Sequence, residues 1–123
     1  MRISDGHFVW ISEAYRGPVH DSRIAREGGV LSILTPDEVV IADKGYEGIE
    51  RIRSPVKGKD LTPVERMYNK TLNQKRVIGE RAFGRLKEFG CLKQPWRSSL
   101  DKQDKVFIVC AAITNEKLKK NPL

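Results

Sequence analysis

Three carboxylates stand out in this sequence because of where they sit: Asp21, Asp43 and Glu80. Asp43 closes the apolar run Glu38 to Ala42 and precedes the turn residues Lys44-Gly45-Tyr46. A carboxylate at the carboxyl end of a strand in an open α/β sheet is held on a rigid element facing a crevice, as a metal site requires. The simpler role, capping the turn before Gly45, fits the position equally well. Glu80 lies in a helical stretch among Arg76, Arg81, Arg85 and Lys87. Arg76, four residues earlier, shares its face and is placed to pair with it. An ordinary surface ion pair of that kind contributes about 0.3–0.5 kcal/mol. Gly79 and Gly84 flank Glu80 at a cost of about 1 kcal/mol each relative to alanine, which points to close packing there.

The elements that must position these groups follow from pattern. His7 to Ser12 is short, β-branched and aromatic, and reads as a strand, with Gly17-Pro18 breaking the chain after it. Asp21 and Ser22 are N-cap residues for a helix through about Glu27, ended by Gly28-Gly29. Val30 to Leu34 adds one turn. The run from Glu38 to Ala42 reads as a strand buried on both faces, as in a largely parallel sheet. Glu47 to Ile52 reads as a short helix, and Ser54-Pro55-Val56 as a brief edge strand. Thr62, Pro63 and Glu65 form a capping box opening a long helix to about Glu88, with a break expected near Asn69. Leu72, Arg76, Gly79, Phe83 and Leu86 fall at helical spacing along it, with Val77 and Ala82 flanking them. Cys91 to Leu100 reads as irregular, and Asp101 to Lys119 as a last amphipathic helix. This order makes an α/β domain.

Composition sets the bounds. The 123 residues suffice for one domain, spanning 1–123, and not for two. Charged residues make up 32% of the chain and the net charge is +7. Basic residues are spread along it, so a basic domain surface is expected, with nucleic acid as the natural partner. Cys91 and Cys110 form no CxxC pair and have no histidine cluster near them in sequence, which argues against zinc. Two unpaired-looking thiols suit a reducing compartment. No apolar run approaches membrane-spanning length, and the N-terminus lacks a signal-peptide core. The expectation is a nuclear protein if eukaryotic and a cytoplasmic one if bacterial, not secreted and with no membrane partner.

Asp43-Lys44-Gly45-Tyr46, followed by Arg76, Glu80 and Lys87 at the spacing Arg, three residues, Glu, six residues, Lys, resembles the second and third catalytic blocks of DDE transposases. The likeness is to Harbinger-type elements and related bacterial insertion sequences. Gly17-Pro18-Val19-His20-Asp21-Ser22 resembles a further segment of that family, and the likeness covers about residues 6 to 113. The resemblance implies a ribonuclease-H-like fold in which three carboxylates hold two divalent ions, Mg²⁺ or Mn²⁺, about 3.5–4 Å apart. It makes Asp43 the second acidic ligand and Glu80 the third, both catalytic and metal-binding. Arg76, Arg81, Arg85 and Lys87 would contact DNA, while Asp21 would cap its helix.

The family's first aspartate lies on a strand earlier than any recognised here, and Asp5 fits that position poorly. The fold is therefore expected to be N-terminally truncated, lacking the first strands, with a second copy or a partner chain supplying them. The chain alone is then expected to be inactive. The competing reading is a non-catalytic DNA-binding or protein-interaction module derived from a transposase.

Overall fold

The computed structural model describes residues 1–123 apart from Arg16, Pro18 and the side chain of Lys44. The break expected at Gly17-Pro18 therefore lies partly outside the described residues. The elements in chain order are helix α1 (Asp21–Glu27), strand β1 (Val40–Ile41), strand β2 (Ile52–Arg53), helix α2 (Pro63–Leu86) and helix α3 (Leu100–Lys120). Short 3₁₀ turns occur at Val30–Ile33, Lys44–Tyr46 and Gly90–Leu92. Two compact units result, one of Pro18–Arg76 and one of Met1–Gly17 with Val77–Leu123, so α2 contributes residues to both.

In the first of these units, β1 and β2 pair in parallel, Val40 opposite Ile52 and Ile41 opposite Arg53. The parallel sense matches the sequence pattern; the length does not. Val40 and Ile41 are only half-buried and Val39 is exposed, so the run is not a strand covered on both faces. The helix expected over Glu47 to Ile52 is absent. Gly48 and Arg51 both have positive φ, 80° and 62°, which no α-helix accommodates. A left-handed arginine costs about 1–2 kcal/mol. Its guanidinium offsets this by donating to the carbonyl oxygens of Leu34, Thr35 and Glu38. The short strand consequently falls at Ile52–Arg53, just before the expected Ser54–Val56. Ala25, Ile49 and Ile52 form the core of this unit, with Leu31, Val40, Ala42 and Tyr46 packed on them.

Helix α2 opens as its capping box requires. The Thr62 hydroxyl accepts from the Glu65 N–H at 3.2 Å, and the Glu65 carboxylate accepts from the Thr62 N–H at 2.7 Å. No break occurs at Asn69, whose amide instead reaches sideways. It accepts from the Val56 N–H at 2.8 Å and donates to the Val56 carbonyl at 3.0 Å, satisfying a loop that has no ladder. The helix stops at Leu86, two residues before the expected Glu88.

In the other unit, Leu86, Cys110 and Ala111 form the core with Phe8, Ile11, Phe89, Leu92, Val106 and Phe107. Phe8 meets Phe83 edge-on, with ring centroids 5.2 Å apart. The strand expected at His7–Ser12 is not a strand. The Asn115 side chain takes both backbone groups of Phe8, at 2.8 and 3.0 Å, and the Asp104 carboxylate accepts from the Ala14 N–H at 2.7 Å. Side chains of α3 thus fill the place a neighbouring strand would take. A Cβ at Gly79 would lie 3.1 Å from the Met1 methyl carbon, a tight approach to the end of a flexible side chain. Gly84 has no such neighbour within 4 Å. Among the described residues, no helix is long and apolar enough to cross a membrane.

Leu86 is 1% exposed at the centre of this unit. Leu86→Ala is expected to cost about 2–5 kcal/mol. Asn115→Ala, which leaves two part-buried backbone groups unsatisfied, is expected to cost about 1–3 kcal/mol. Urea unfolding followed by circular dichroism measures both.

Candidate active site

Asp43 follows the carboxyl end of β1. The strand ladder runs one residue past it, through the Ala42 N–H to the Arg53 carbonyl at 2.9 Å. The chain then turns sharply, with the Tyr46 N–H donating to the Asp43 carbonyl at 3.1 Å. The Asp43 side chain is 66% exposed, so its carboxylate is held by its backbone rather than by burial. Arg76, on α2 in the same unit, brings its guanidinium to 3.7 Å from the Asp43 carboxylate. Sequence spacing had paired Arg76 with Glu80; the ion pair it makes is with the strand-end aspartate. Glu80 stands one turn further along α2 and is exposed.

Asp21 is not the N-cap of α1. That position belongs to His20, which makes no capping bond through its side chain. Asp21 instead stands near Tyr46, where its negative charge acts on the phenol. Tyr46 is pushed above the ordinary tyrosine pKa, first by burial, then by the charge of Asp21, then by the charge of Asp43. One phenol therefore sits in the field of both carboxylates that the sequence singled out in this unit. Directly after Gly45, it also packs on the core formed by Ala25, Ile49 and Ile52. The pattern Asp-x-Gly-Tyr contains Tyr46, but sequence spacing offers no sign that Asp21 is its partner.

The cations named from sequence have different settings. Arg85 donates to the carbonyl oxygens of Asn121 and Pro122 and so fastens the last residues to α2. Arg81 and Lys87 are exposed. Asp5 is engaged locally: Arg2 and the His7 N–H both donate to it, and the Arg2 guanidinium holds its carboxyl well below the usual carboxylate range. Among the described residues, no three His, Cys, Asp or Glu side chains come together as a metal-holding group. The donors are thus of the kind a hard cation takes, and fewer than the three that two-metal chemistry uses.

The family model for the DDE superfamily endonucleases matches residues 2–115. The chain belongs to that family. It is also 38% identical over 91 residues to a probable transposase for insertion sequence element IS702 from Microchaete diplosiphon. That match takes in 68% of this chain and 32% of the relative, so the chain spans about a third of the relative's length. No solved structure matches it. The DDE assignment rests on the same stretch that carries the Asp-x-Gly-Tyr pattern and the spacing of Arg76, Glu80 and Lys87.

The Tyr46 setting has a pH consequence. A phenol whose pKa is raised on folding stabilises the native state below the unfolded tyrosine pKa of about 10, and that contribution is lost as pH rises through the folded value. Spectrophotometric titration of the native chain, with Tyr46→Phe subtracted, is expected to show Tyr46 ionising above an unfolded tyrosine. Asp21→Asn is expected to shift that titration downward.

Proposed function

We propose that this chain carries part of the catalytic domain of a transposase, a divalent-metal-dependent domain for DNA strand cleavage and transfer with a ribonuclease-H-like sheet. Asp43 and Glu80 are its second and third carboxylates. The observation that supports this reading most directly is the Arg76–Asp43 pair. It ties the helix bearing the Arg-x-x-x-Glu spacing to the strand-end aspartate, and helical periodicity puts Glu80 one turn from that arginine.

Asp43 and Glu80 would hold Mg²⁺ or Mn²⁺, which when bound supplies charge neutralisation at the phosphate under attack. The chain's own residues do the rest. Arg76 keeps the Asp43 carboxylate oriented. Tyr46, packed on the core of its unit, steadies the turn that follows Asp43. Arg81, Lys87, Arg76 and Arg85 are the DNA contacts. Arg81 and Lys87 are the two best placed to meet phosphate, because Arg76 pairs with Asp43 and Arg85 holds backbone carbonyls. Asp43 and Glu80 are two carboxylates where two-metal chemistry uses three, so the isolated chain is expected not to cleave DNA.

Divalent-ion affinity tests the assignment. Calorimetric titration with Mn²⁺ is expected to give tighter binding for the native chain than for Asp43→Asn or Glu80→Gln, with the double substitution no worse than either single one. Equal affinity in the native and doubly substituted chains would remove the catalytic reading. Duplex DNA binding is expected to weaken with salt by roughly 0.9 logarithmic units per phosphate neutralised, and Arg81→Ala and Lys87→Ala to lower that slope by about 1 each. Supercoiled plasmid with Mn²⁺ should stay intact; nicking that depends on Glu80 would overturn the inactivity of the isolated chain.

A further inference from the structure

Cys91 and Cys110 stand 19 positions apart in sequence, yet their Sγ atoms lie 3.9 Å apart. Both are free thiols, Cys91 exposed and Cys110 buried, in the same compact unit. Cys110 belongs to α3 and is fixed in the core beside Leu86 and Ala111. Cys91 sits in the 3₁₀ turn Gly90–Leu92, where a local shift costs less than it would inside a long helix. A disulfide needs the two sulfurs at about 2.05 Å, an approach that side-chain rotation and a small movement of the turn supply. One thiol open to solvent, with a second buried behind it at contact distance, is the arrangement of an attacking and a resolving cysteine.

We propose that Cys91 and Cys110 form an oxidisable dithiol that takes low-molecular-weight disulfides such as oxidised glutathione. The Cys91 thiolate attacks one sulfur of the disulfide, whose S–S bond breaks. One glutathione thiolate leaves and takes up the proton that Cys91 lost. Cys110 then gives its proton to solvent and attacks the Cys91 sulfur, expelling the second glutathione. Two protein thiols are oxidised by two electrons, and one glutathione disulfide is reduced to two thiols. Burial and the neighbouring Cys91 raise the Cys110 pKa, in keeping with the exposed Cys91 being the thiol that attacks first. The new bond would tie the turn after α2 to the middle of α3 and close the segment holding Lys93, Trp96 and Arg97 into a ring.

The test uses the reduced chain with excess oxidised glutathione. The expected product is a monomer lighter by two hydrogen atoms, with no free thiol, whose peptide map joins Cys91 to Cys110. Cys110→Ala is expected to stop at a stable glutathione adduct on Cys91. The native chain should also close its ring roughly tenfold or more faster than the same chain in urea, a comparison that needs no variant to fold. A lasting Cys91 adduct in the native chain, intermolecular dimers, two unreacted thiols, or equal closure rates with and without urea would each overturn the proposal.

Discussion

A parallel strand pair two residues long makes too few backbone hydrogen bonds to hold itself in place, and Asp43 stands just beyond the end of such a pair. The stability of that position has to come from outside the ladder. Arg51 supplies one part by folding into a left-handed conformation and binding three carbonyls of the segment that leads into β1. Tyr46 supplies another by packing its ring on the core. Asn69 supplies a third by bonding both backbone groups of Val56, so that the loop after β2 is anchored to α2. Arg51 and Asn69 are polar side chains completing a backbone that lacks a neighbouring strand.

The same economy governs the other unit. Phe8 enters the core, but its backbone is completed by Asn115 rather than by a strand. Lys117 lies 5.0 Å from the Phe89 ring centre and 3.6 Å from the Glu88 carboxylate, so one cation joins the residues after α2 to α3. Exposed pairs of this kind contribute little to stability singly. Burial of Leu86, Ala82, Ala111 and Leu118 carries the larger part, because apolar area removed from water scales directly with stabilisation.

Much of the helical framework was legible in the residues. The capping box at Thr62 and Glu65, the glycines after Glu27 and the apolar centre of the last helix each carry a local physical signal, and α1, α2 and α3 follow them closely. The strands were less legible. Apolar runs at His7–Ser12 and Glu38–Ala42 have strand-like composition, but a strand exists only where a second one pairs with it, and pairing is not a local property. The helix expected before Ile52 failed for a related reason. Its residues tolerate helix, but a positive φ at Arg51 becomes affordable only through carbonyls more than a dozen residues away.

Family membership and the candidate carboxylates came from the sequence by itself, because Asp43, Arg76, Glu80 and Lys87 stand at spacings that order and helical period make recognisable without coordinates. Tertiary structure alone decided who partners whom. It gave Arg76 to Asp43, the Phe8 backbone to Asn115, and the Cys91 sulfur to Cys110. A sequence records which side chains exist and how a helix would space them. Charge attraction at 3.7 Å and sulfur contact at 3.9 Å depend on chain segments brought together by burial, and no local pattern encodes that.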